Sequence, residues 1–214
     1  MNKPEIIVID YGVGNLLSVQ RGLEKCGAKV NLTSDPQKIL EANRVVLPGV
    51  GAFSNAMKTL KNLGLTETLI ELAKLKTPLL GICLGMQLLF EESEEFGITE
   101  GLGLIPGRVI SVPNQTISGE KQKIPHIGWS SLYSPIMKDW SNTLLQNNKA
   151  GDCAYFVHSF MAMPSDSNNL IAECNYGGTK IAAVVGKDQI TGCQFHPEKS
   201  GEVGLEILRN FCAD

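Results

Sequence analysis

The amino-acid sequence predicts an α/β fold in which a central, mixed but mostly parallel sheet is flanked by helices. In the first half of the chain, short apolar segments alternate with segments whose apolar residues recur at helical spacing, and strands that alternate with helices pair in parallel. After about Gly101 turn residues become frequent, which indicates hairpins and mixed strand pairing. Neither an internal repeat nor a linker is evident in the 214 residues, so we expect one domain spanning 1–214.

Each element of the first half is bounded by residues that favour its ends. The apolar run 5–10 ends at a glycine-containing turn, after which Leu16, Val19 and Leu23 recur at helical spacing until Gly27 stops the helix. The strands predicted next are 29–33, 44–47 and 78–82, and the predicted helices are 36–42, one from near Gly51, 66–75 and 84–90. In the second half we predict strands at 108–112, 154–158, 181–185 and 190–195 and a closing helix at 203–212.

Composition and charge argue against several functional classes. Hydrophobic residues make up 43% and charged residues 19% of the chain, which is typical of a soluble enzyme and not of a disordered protein. The net charge of -3 argues against nucleic-acid binding. We see no apolar stretch long enough to span a membrane and no secretory signal before the first strand. Six cysteines without a CxxC pair disfavour a disulfide framework or a zinc site, so we expect a cytoplasmic protein with no metal or cofactor.

A glycine-flanked cysteine carries the strongest chemical signal. Gly81-Ile-Cys83-Leu-Gly85 lies between a predicted buried strand and a helix, and it has the form of a nucleophile elbow, in which small residues permit a strained turn. Such a turn lifts the side chain out of the sheet and aims the following amides, with the positive end of the helix, at the attacked carbonyl. Cys83 is therefore a candidate thiolate nucleophile, and the alternative is a structural cysteine between packing glycines.

A candidate base for this cysteine lies near the end of the chain. Of the three histidines, His196 follows the predicted strand 190–195 and should lie at the same edge of the sheet as Cys83. Glu198 comes two residues later, where it can orient the imidazole and stabilise the imidazolium. An isolated His-Pro-Glu would suit a surface loop, but the cysteine elbow in the same chain favours a Cys-His-Glu triad.

Together the two motifs resemble the class I, triad-type glutamine amidotransferases, a family with a flavodoxin-like fold. The segments 81–87 and 194–198 contain the early nucleophilic cysteine and the late His-x-Glu pair of that family. Within it, the chain resembles the glutaminase subunits of imidazole glycerol phosphate synthase. The resemblance covers essentially the whole chain, with further similar stretches at 10–15, 48–51, 88–95 and 155–159.

The resemblance implies a reaction and a set of residues for it. Cys83 would attack the carboxamide of glutamine to give a glutamyl thioester, and His196, oriented by Glu198, would protonate the leaving ammonia and then activate water. The implied oxyanion hole consists of the amides of Val50, Gly51 and Leu84. The implied substrate-binding residues are Gln87, Glu95, Ser159 and Phe160. Glu95 belongs to a cluster with Glu91, Glu92 and Glu94, most of which we expect to be solvated.

The resemblance also implies a partner, a (β/α)8-barrel synthase (cyclase) subunit that receives ammonia through an internal channel within a heterodimer. The implied interface residues are Asn15, Trp129, Tyr155 and Lys199. The family commonly has asparagine after this tryptophan, whereas this chain has Ser130. His126 lies in the same stretch as Trp129, and we expect His158 to be structural.

The leading hypothesis is therefore the ammonia-supplying subunit of histidine biosynthesis. One alternative is a paralogous amidotransferase that supplies ammonia for amidino-sugar synthesis in surface polysaccharides. A second is a stand-alone γ-glutamyl hydrolase with a cysteine elbow. A third, a catalytically silent scaffold, is disfavoured by the intact triad.

Overall fold

The computed structural model describes residues 3–135 and 139–213, in which six α-helices and thirteen strands are found. The helices are α1 (Leu16–Lys25), α2 (Pro36–Leu40), α3 (Phe53–Asn62), α4 (Leu65–Lys74), α5 (Leu84–Gln87) and α6 (Gly201–Cys212). The strands are β1 (Glu5–Ile9), β2 (Lys29–Thr33), β3 (Val45–Gly49), β4 (Leu79–Cys83), β5 (Phe90–Ser93), β6 (Thr99–Glu100), β7 (Ile105–Ser111), β8 (His126–Ser131), β9 (Cys153–His158), β10 (Phe160–Pro164), β11 (Leu170–Tyr176), β12 (Thr179–Lys187) and β13 (Ile190–Cys193).

Seven strands form the central sheet, in the order β11-β12-β13-β4-β3-β1-β2. The five strands from β13 to β2 pair in parallel, while β12 pairs antiparallel with β13 and β11 pairs antiparallel with β12. Both faces of the parallel part are covered by helices. Along β1, for example, Ile6 and Val8 belong to the core cluster shared with α1 and α6, and Ile7 and Ile9 to the one shared with α3 and α4. This two-sided burial explains why these strands are apolar runs in the sequence.

Two smaller sheets complete the second half of the chain. One has four strands in the order β10-β7-β5-β6, and the other is the antiparallel ribbon β8–β9. The turn from β9 to β10 contains only Ser159, so it connects the ribbon directly to the four-stranded sheet. This junction lies beside the carboxyl ends of the parallel strands, because the backbone N–H of His196 donates to the carbonyl of Tyr155 on β9 at 2.9 Å.

The predicted mixed, mostly parallel sheet flanked by helices is confirmed, with three local corrections. The helix predicted at 84–90 is a single turn, because buried Phe90 begins β5 and pairs with Ile105 of β7. Pro48 and Gly49, predicted to end the third strand, belong to β3 and pair with β4. The strands β5, β6, β8, β10 and β11 were not predicted. No helix among the described residues is both long and apolar enough to cross a membrane.

Candidate active site

Cys83 ends β4 in a strained backbone conformation, with φ 54° and ψ -112°. Positive φ is uncommon for a residue with a side chain, and strain of this kind occurs at nucleophile elbows. The flanking glycines are required by close packing. A Cβ at Gly85 would overlap the carbonyl of Leu47 on β3, and one at Gly81 would lie 2.7 Å from the carbonyl oxygen of Gly85. The glycine pattern around Cys83 is therefore explained by its tight turn.

The helix after the elbow, α5, is shorter than the sequence predicts, so its dipole contributes little to the site. With four residues, α5 has a small dipole, since a macrodipole grows by adding aligned peptide units over several turns. Any stabilisation of an oxyanion here comes from individual amides, such as that of Leu84 directly after the cysteine.

His196 reaches the cysteine because β13 lies next to β4 in parallel register, with Cys193 opposite Ile82. The backbone of His196 is anchored to β9 by its N–H, and its carbonyl accepts a 2.7 Å hydrogen bond from the hydroxyl of Ser200. The same Ser200 hydroxyl accepts from the N–H of Tyr155 at 2.9 Å. These contacts fix the backbone of His196 and so help to set the direction of its imidazole.

The side chains of His196 and Glu198 form a buried pair. The Nδ1 atom of His196 lies 2.8 Å from Oε1 of Glu198, and the two side chains are only 4% and 1% exposed. Nδ1 donates to the carboxylate, which leaves Nε2 for the sulfur of Cys83. Burial opposes a charge on the imidazole, but the hydrogen bonds and charges of Cys83 and Glu198 outweigh it and raise the pKa of His196 to about 9. At neutral pH His196 is therefore an imidazolium beside the cysteine.

These groups open onto a cavity of about 270 Å³. Its lining brings together nine of the residues assigned to the reaction or the substrate from the sequence: Val50, Gly51, Cys83, Leu84, Gln87, Glu95, Ser159, Phe160 and His196. Glu198 lies behind His196, outside the lining. A wider cleft of about 570 Å³ runs along β2, but its lining includes neither cysteine nor histidine among the described residues. Within that same part of the chain, no cluster of His, Cys, Asp and Glu side chains could hold a metal ion.

Two glutamines link the cavity wall to the nucleophile. The amide nitrogen of Gln87 donates to the carbonyl of Phe160 at 3.0 Å and to Oε1 of Gln194 at 2.9 Å. With both of its N–H groups used, Gln87 has its side-chain oxygen left as an acceptor. Gln194 in turn directs its amide nitrogen to the sulfur of Cys83, at 3.8 Å. The sequence motif contains Gln194 but assigns it no role, and its place directly after β13, two residues before His196, is the available signal.

Glu95 differs from the other acidic residues of its cluster because its side chain is buried. One carboxylate oxygen accepts the N–H of Phe53, the first amide of α3, at 2.6 Å. By contrast Glu94 and Arg108 form an ion pair on the surface, and Glu91 is also exposed. The expectation that most of the cluster is solvated is met, and Glu95 is the member that faces the cavity.

The segment assigned to the oxyanion hole follows β3 directly. Gly51 has φ 94°, a conformation in which glycine carries no steric penalty. The hydroxyl of buried Tyr11 donates to the carbonyl of Pro48 at 2.9 Å and so fixes the start of this segment. Burial, with the nearby Cys83, raises the pKa of Tyr11, so the phenol remains a neutral donor. Tyr11 is a further residue that sequence reasoning had not singled out.

The residues assigned to a partner interface are exposed or partly exposed. Trp129 of β8 is 58% exposed, and its ring meets that of Tyr155 on β9 edge to face, with centroids 5.9 Å apart. Lys199 is exposed in the 3-10 turn Pro197–Lys199, which packs against α1 and β9. Asn15 is exposed immediately before α1. These placements are compatible with one shared surface.

Comparison with known proteins identifies the family. A family model for class-I glutamine amidotransferases matches residues 7–214. The chain belongs to the class-I glutamine amidotransferase family. The predicted family, enzyme class and fold are thereby confirmed.

Relatives of this amidotransferase include subunits of one synthase. The chain is 51% identical over 207 residues to imidazole glycerol phosphate synthase subunit HisH 1 of Legionella pneumophila strain Lens, covering 96% of this chain and 97% of that protein. It is 47% identical over 206 residues to subunit HisH of Geobacillus sp. strain WCH70, covering 96% and 95%. Among solved structures, PurLQS from Thermotoga maritima is similar in fold, with a TM-score of 0.71 at 17% identity over 98% of both chains.

Proposed function

We propose that this amidotransferase hydrolyses glutamine to glutamate and ammonia through a thioester on Cys83, and passes the ammonia to a synthase subunit that forms imidazole glycerol phosphate in histidine biosynthesis. The observation that carries the chemistry is the cavity in which Cys83 faces an imidazolium at one end and unused acceptors of Gln87 and Glu95 line the wall. The 44% to 51% identity to HisH subunits supports the choice of pathway.

Recognition of glutamine is assigned to the wall formed by Gln87 and Glu95. The free oxygen of Gln87 and the carboxylate of Glu95 are acceptors, and they suit the ammonium group of an amino acid. The cavity of about 270 Å³ is of a size for one small amino acid. Bound in this way, glutamine extends its carboxamide towards Cys83.

Acylation uses the Cys83–His196 pair. The sulfur attacks the carboxamide carbon, and the oxyanion that forms is stabilised by the N–H of Leu84 and by an amide from Val50 or Gly51. His196 then transfers its Nε2 proton to the departing nitrogen, so that ammonia leaves and a glutamyl thioester remains. A pKa of about 9 keeps this proton available at neutral pH.

Deacylation reverses the role of the imidazole. Having lost its proton, His196 takes one from a water molecule, which attacks the thioester and releases glutamate. Glu198 holds Nδ1–H throughout and stabilises the imidazolium that re-forms. Gln194 directs an N–H at the sulfur and so favours its anionic form when the thioester breaks.

The partner is proposed to be a (β/α)8-barrel subunit that forms a heterodimer with this chain and acts with it as a lyase. The proposed docking surface includes Asn15, Trp129, Tyr155 and Lys199. Exposed Trp129 and its neighbour Ile127, also 58% exposed, support this placement, because aromatic and apolar groups are enriched at the centres of interfaces.

We further propose that residues 1–214 form one amidotransferase domain and that the protein is cytoplasmic. All six cysteines are free thiols, which suits a reducing compartment.

The proposal is tested by measuring glutamate release from glutamine with the chain alone, with the barrel subunit encoded for histidine synthesis, and with that subunit and its nucleotide substrate. We expect slow release by the chain alone and strong stimulation by the loaded partner. Fast release that no partner alters would indicate a stand-alone hydrolase. Stimulation confined to an amidino-sugar synthetase would overturn the pathway and leave the glutaminase chemistry intact.

A further inference from the structure

Two buried histidines face each other across the β8–β9 ribbon. His126 and His158 are partners in its register, and Nδ1 of His126 lies 2.9 Å from Nε2 of His158. The outer nitrogen of His126, Nε2, lies 2.9 Å from the hydroxyl oxygen of Ser130. The remaining nitrogen of His158, Nδ1, lies 2.8 Å from the carbonyl oxygen of Phe160. The four residues therefore form a continuous hydrogen-bonded chain.

The direction of every hydrogen bond in this chain follows from its last acceptor. The carbonyl of Phe160 only accepts, so Nδ1 of His158 carries a proton and Nε2 of the same neutral ring accepts. His126 must then donate from Nδ1 and accept at Nε2, and Ser130 must donate its hydroxyl proton. Burial lowers the pKa of both His126 and His158 to about 4, which keeps both rings neutral near pH 7. Each ring thus has one tautomer only.

The Phe160 end of this hydrogen-bonded chain lies in the wall of the proposed glutamine cavity. The carbonyl of Phe160 accepts from His158 and also from the side-chain amide of Gln87, at 3.0 Å. Its position therefore depends on the histidine pair, and the orientation of Gln87 depends on that carbonyl. Because a carbonyl cannot take up and pass on a proton, the chain is unsuited to proton transfer and suited to fixing geometry.

We propose that Ser130, His126 and His158 are positioning residues for glutamine, which hold the Phe160 carbonyl and, through it, the Gln87 amide that receives the amino-acid end of the substrate. The inference rests on the proposed glutaminase function. It also gives Ser130, at which this sequence departs from the family pattern, a defined task. A hydroxyl at this position is the donor that completes the chain.

The first test measures the affinity of the protein for glutamine after the Ser130 hydroxyl is removed. Ser130→Ala should raise the KM for glutamine about threefold to tenfold, as the loss of one hydrogen bond predicts. The kcat should stay unchanged, and so should the fall of activity at alkaline pH that the titration of His196 causes. Ser130→Thr should restore the KM, since it keeps the hydroxyl. The matched control is Ser131→Ala on the same strand, whose hydroxyl contacts Cys153 instead. Equal KM values for Ser130→Ala and Ser131→Ala would overturn the inference.

A second variant removes the ring nitrogens and keeps the ring. His126→Phe can maintain the stacking of His126 on Phe156 and Tyr176, with ring centroids 5.1 and 4.1 Å away, while breaking the chain in two places. We expect a larger rise in KM than for Ser130→Ala. A folded His126→Phe protein with the wild-type KM would contradict the proposal.

The third measurement is independent of catalysis and of the folding of any variant. Long-range ¹H–¹⁵N correlation spectra of the wild-type protein near neutral pH should show both His126 and His158 as neutral rings protonated at Nδ1. A proton on Nε2 of either neutral ring, or an imidazolium, would show that the proposed hydrogen-bonded chain does not form. If the wild-type protein fails to turn over glutamine under any condition, the proposed function fails, and these spectra still decide whether the chain exists.

Discussion

The two walls of the proposed glutamine cavity are held in different ways. The wall that carries Cys83 and His196 is formed by the ends of parallel strands, and backbone pairing and close glycine contacts fix it. In the opposite wall, Phe160 begins β10 and Glu95 follows β5, and besides the pairing of β10 with β7 this wall is held by side-chain hydrogen bonds. We call these the strand wall and the network wall. The proposed reacting atoms therefore rest on backbone-paired strand ends, while recognition depends on side-chain contacts that can be replaced one at a time.

Among the changes that compare the two walls, the largest effect is expected from Glu198, the acidic member of the proposed triad on the strand wall. Glu198→Gln should lower kcat/KM by about 10²- to 10⁴-fold, because the imidazolium loses its charged partner. The folded pKa of His196 is raised to about 9, so activity that needs the imidazolium should fall as the pH rises through about 9. In Glu198→Gln this alkaline limb should move to lower pH. Glu202→Gln, at an exposed carboxylate paired with Arg209, is the control. If the fall of activity at alkaline pH does not shift in Glu198→Gln, a group other than His196 controls it.

The packing of the strand wall is tested at Gly85. Gly85→Ala should reduce the free energy of unfolding by roughly 3 kcal/mol or more, since the added Cβ would overlap the backbone of β3. Gly64→Ala, where φ is 69° and no atom lies near the added Cβ, should cost only about 1 kcal/mol of backbone strain. Denaturant unfolding measures both. Similar losses for the two variants would mean that close contact does not fix the elbow.

The network wall should make the protein sensitive to acid. The pKa values of His126 and His158 are lowered to about 4 in the folded state, below the unfolded value of about 6.5. Their stabilising contribution is therefore complete above about pH 6.5 and is lost as the pH falls towards 4, by up to about 1.4 kcal/mol per pH unit for each histidine. His196 contributes a slope of opposite sign near pH 6.5, because its folded form is already charged where its unfolded form takes up a proton, and this contribution is the same in proteins that differ only at His126.

Urea unfolding of the wild-type and His126→Phe proteins between about pH 6.5 and pH 5 measures this slope, in the range where the unfolded histidines take up protons. We expect a shallower dependence of the free energy of unfolding on pH in the variant. Parallel slopes would contradict the assignment of a buried neutral ring to His126.

The smallest effect is expected at Tyr11, which holds the start of the oxyanion segment. Tyr11→Phe should cost about 1 kcal/mol of stability and reduce kcat about threefold to tenfold, because the carbonyl of Pro48 loses its donor. Tyr133→Phe, at a half-exposed ring, is the matched control and should change neither quantity. A kcat for Tyr11→Phe equal to that of the control would show that this hydrogen bond serves stability alone.

The places of the nucleophile and the base on the strand wall could be predicted from the sequence, whereas the side-chain contacts that hold both walls could not. Cys83 ends one buried apolar strand and His196 follows another, and glycine or proline lies next to each, so their place at one sheet edge follows from general topology. The contacts of Gln194 with Cys83, of Tyr11 with Pro48 and of His126 with His158 join residues 111, 37 and 32 positions apart. Such side-chain contacts depend on tertiary packing, and no local sequence pattern predicts them. The same holds for β8, a partly exposed strand interrupted by Gly128.

The central claim is that Cys83 forms the thioester from which ammonia is released. The most direct measurement compares glutamate release by the wild-type, Cys83→Ala and Cys153→Ala proteins, each with the loaded synthase partner, and follows the synthesis driven by added ammonia in parallel. We predict that Cys83→Ala lowers glutamate release by about 10⁴-fold or more and leaves ammonia-driven synthesis intact, while exposed Cys153 is dispensable for both. Glutamate release by Cys83→Ala near the wild-type rate would contradict the account.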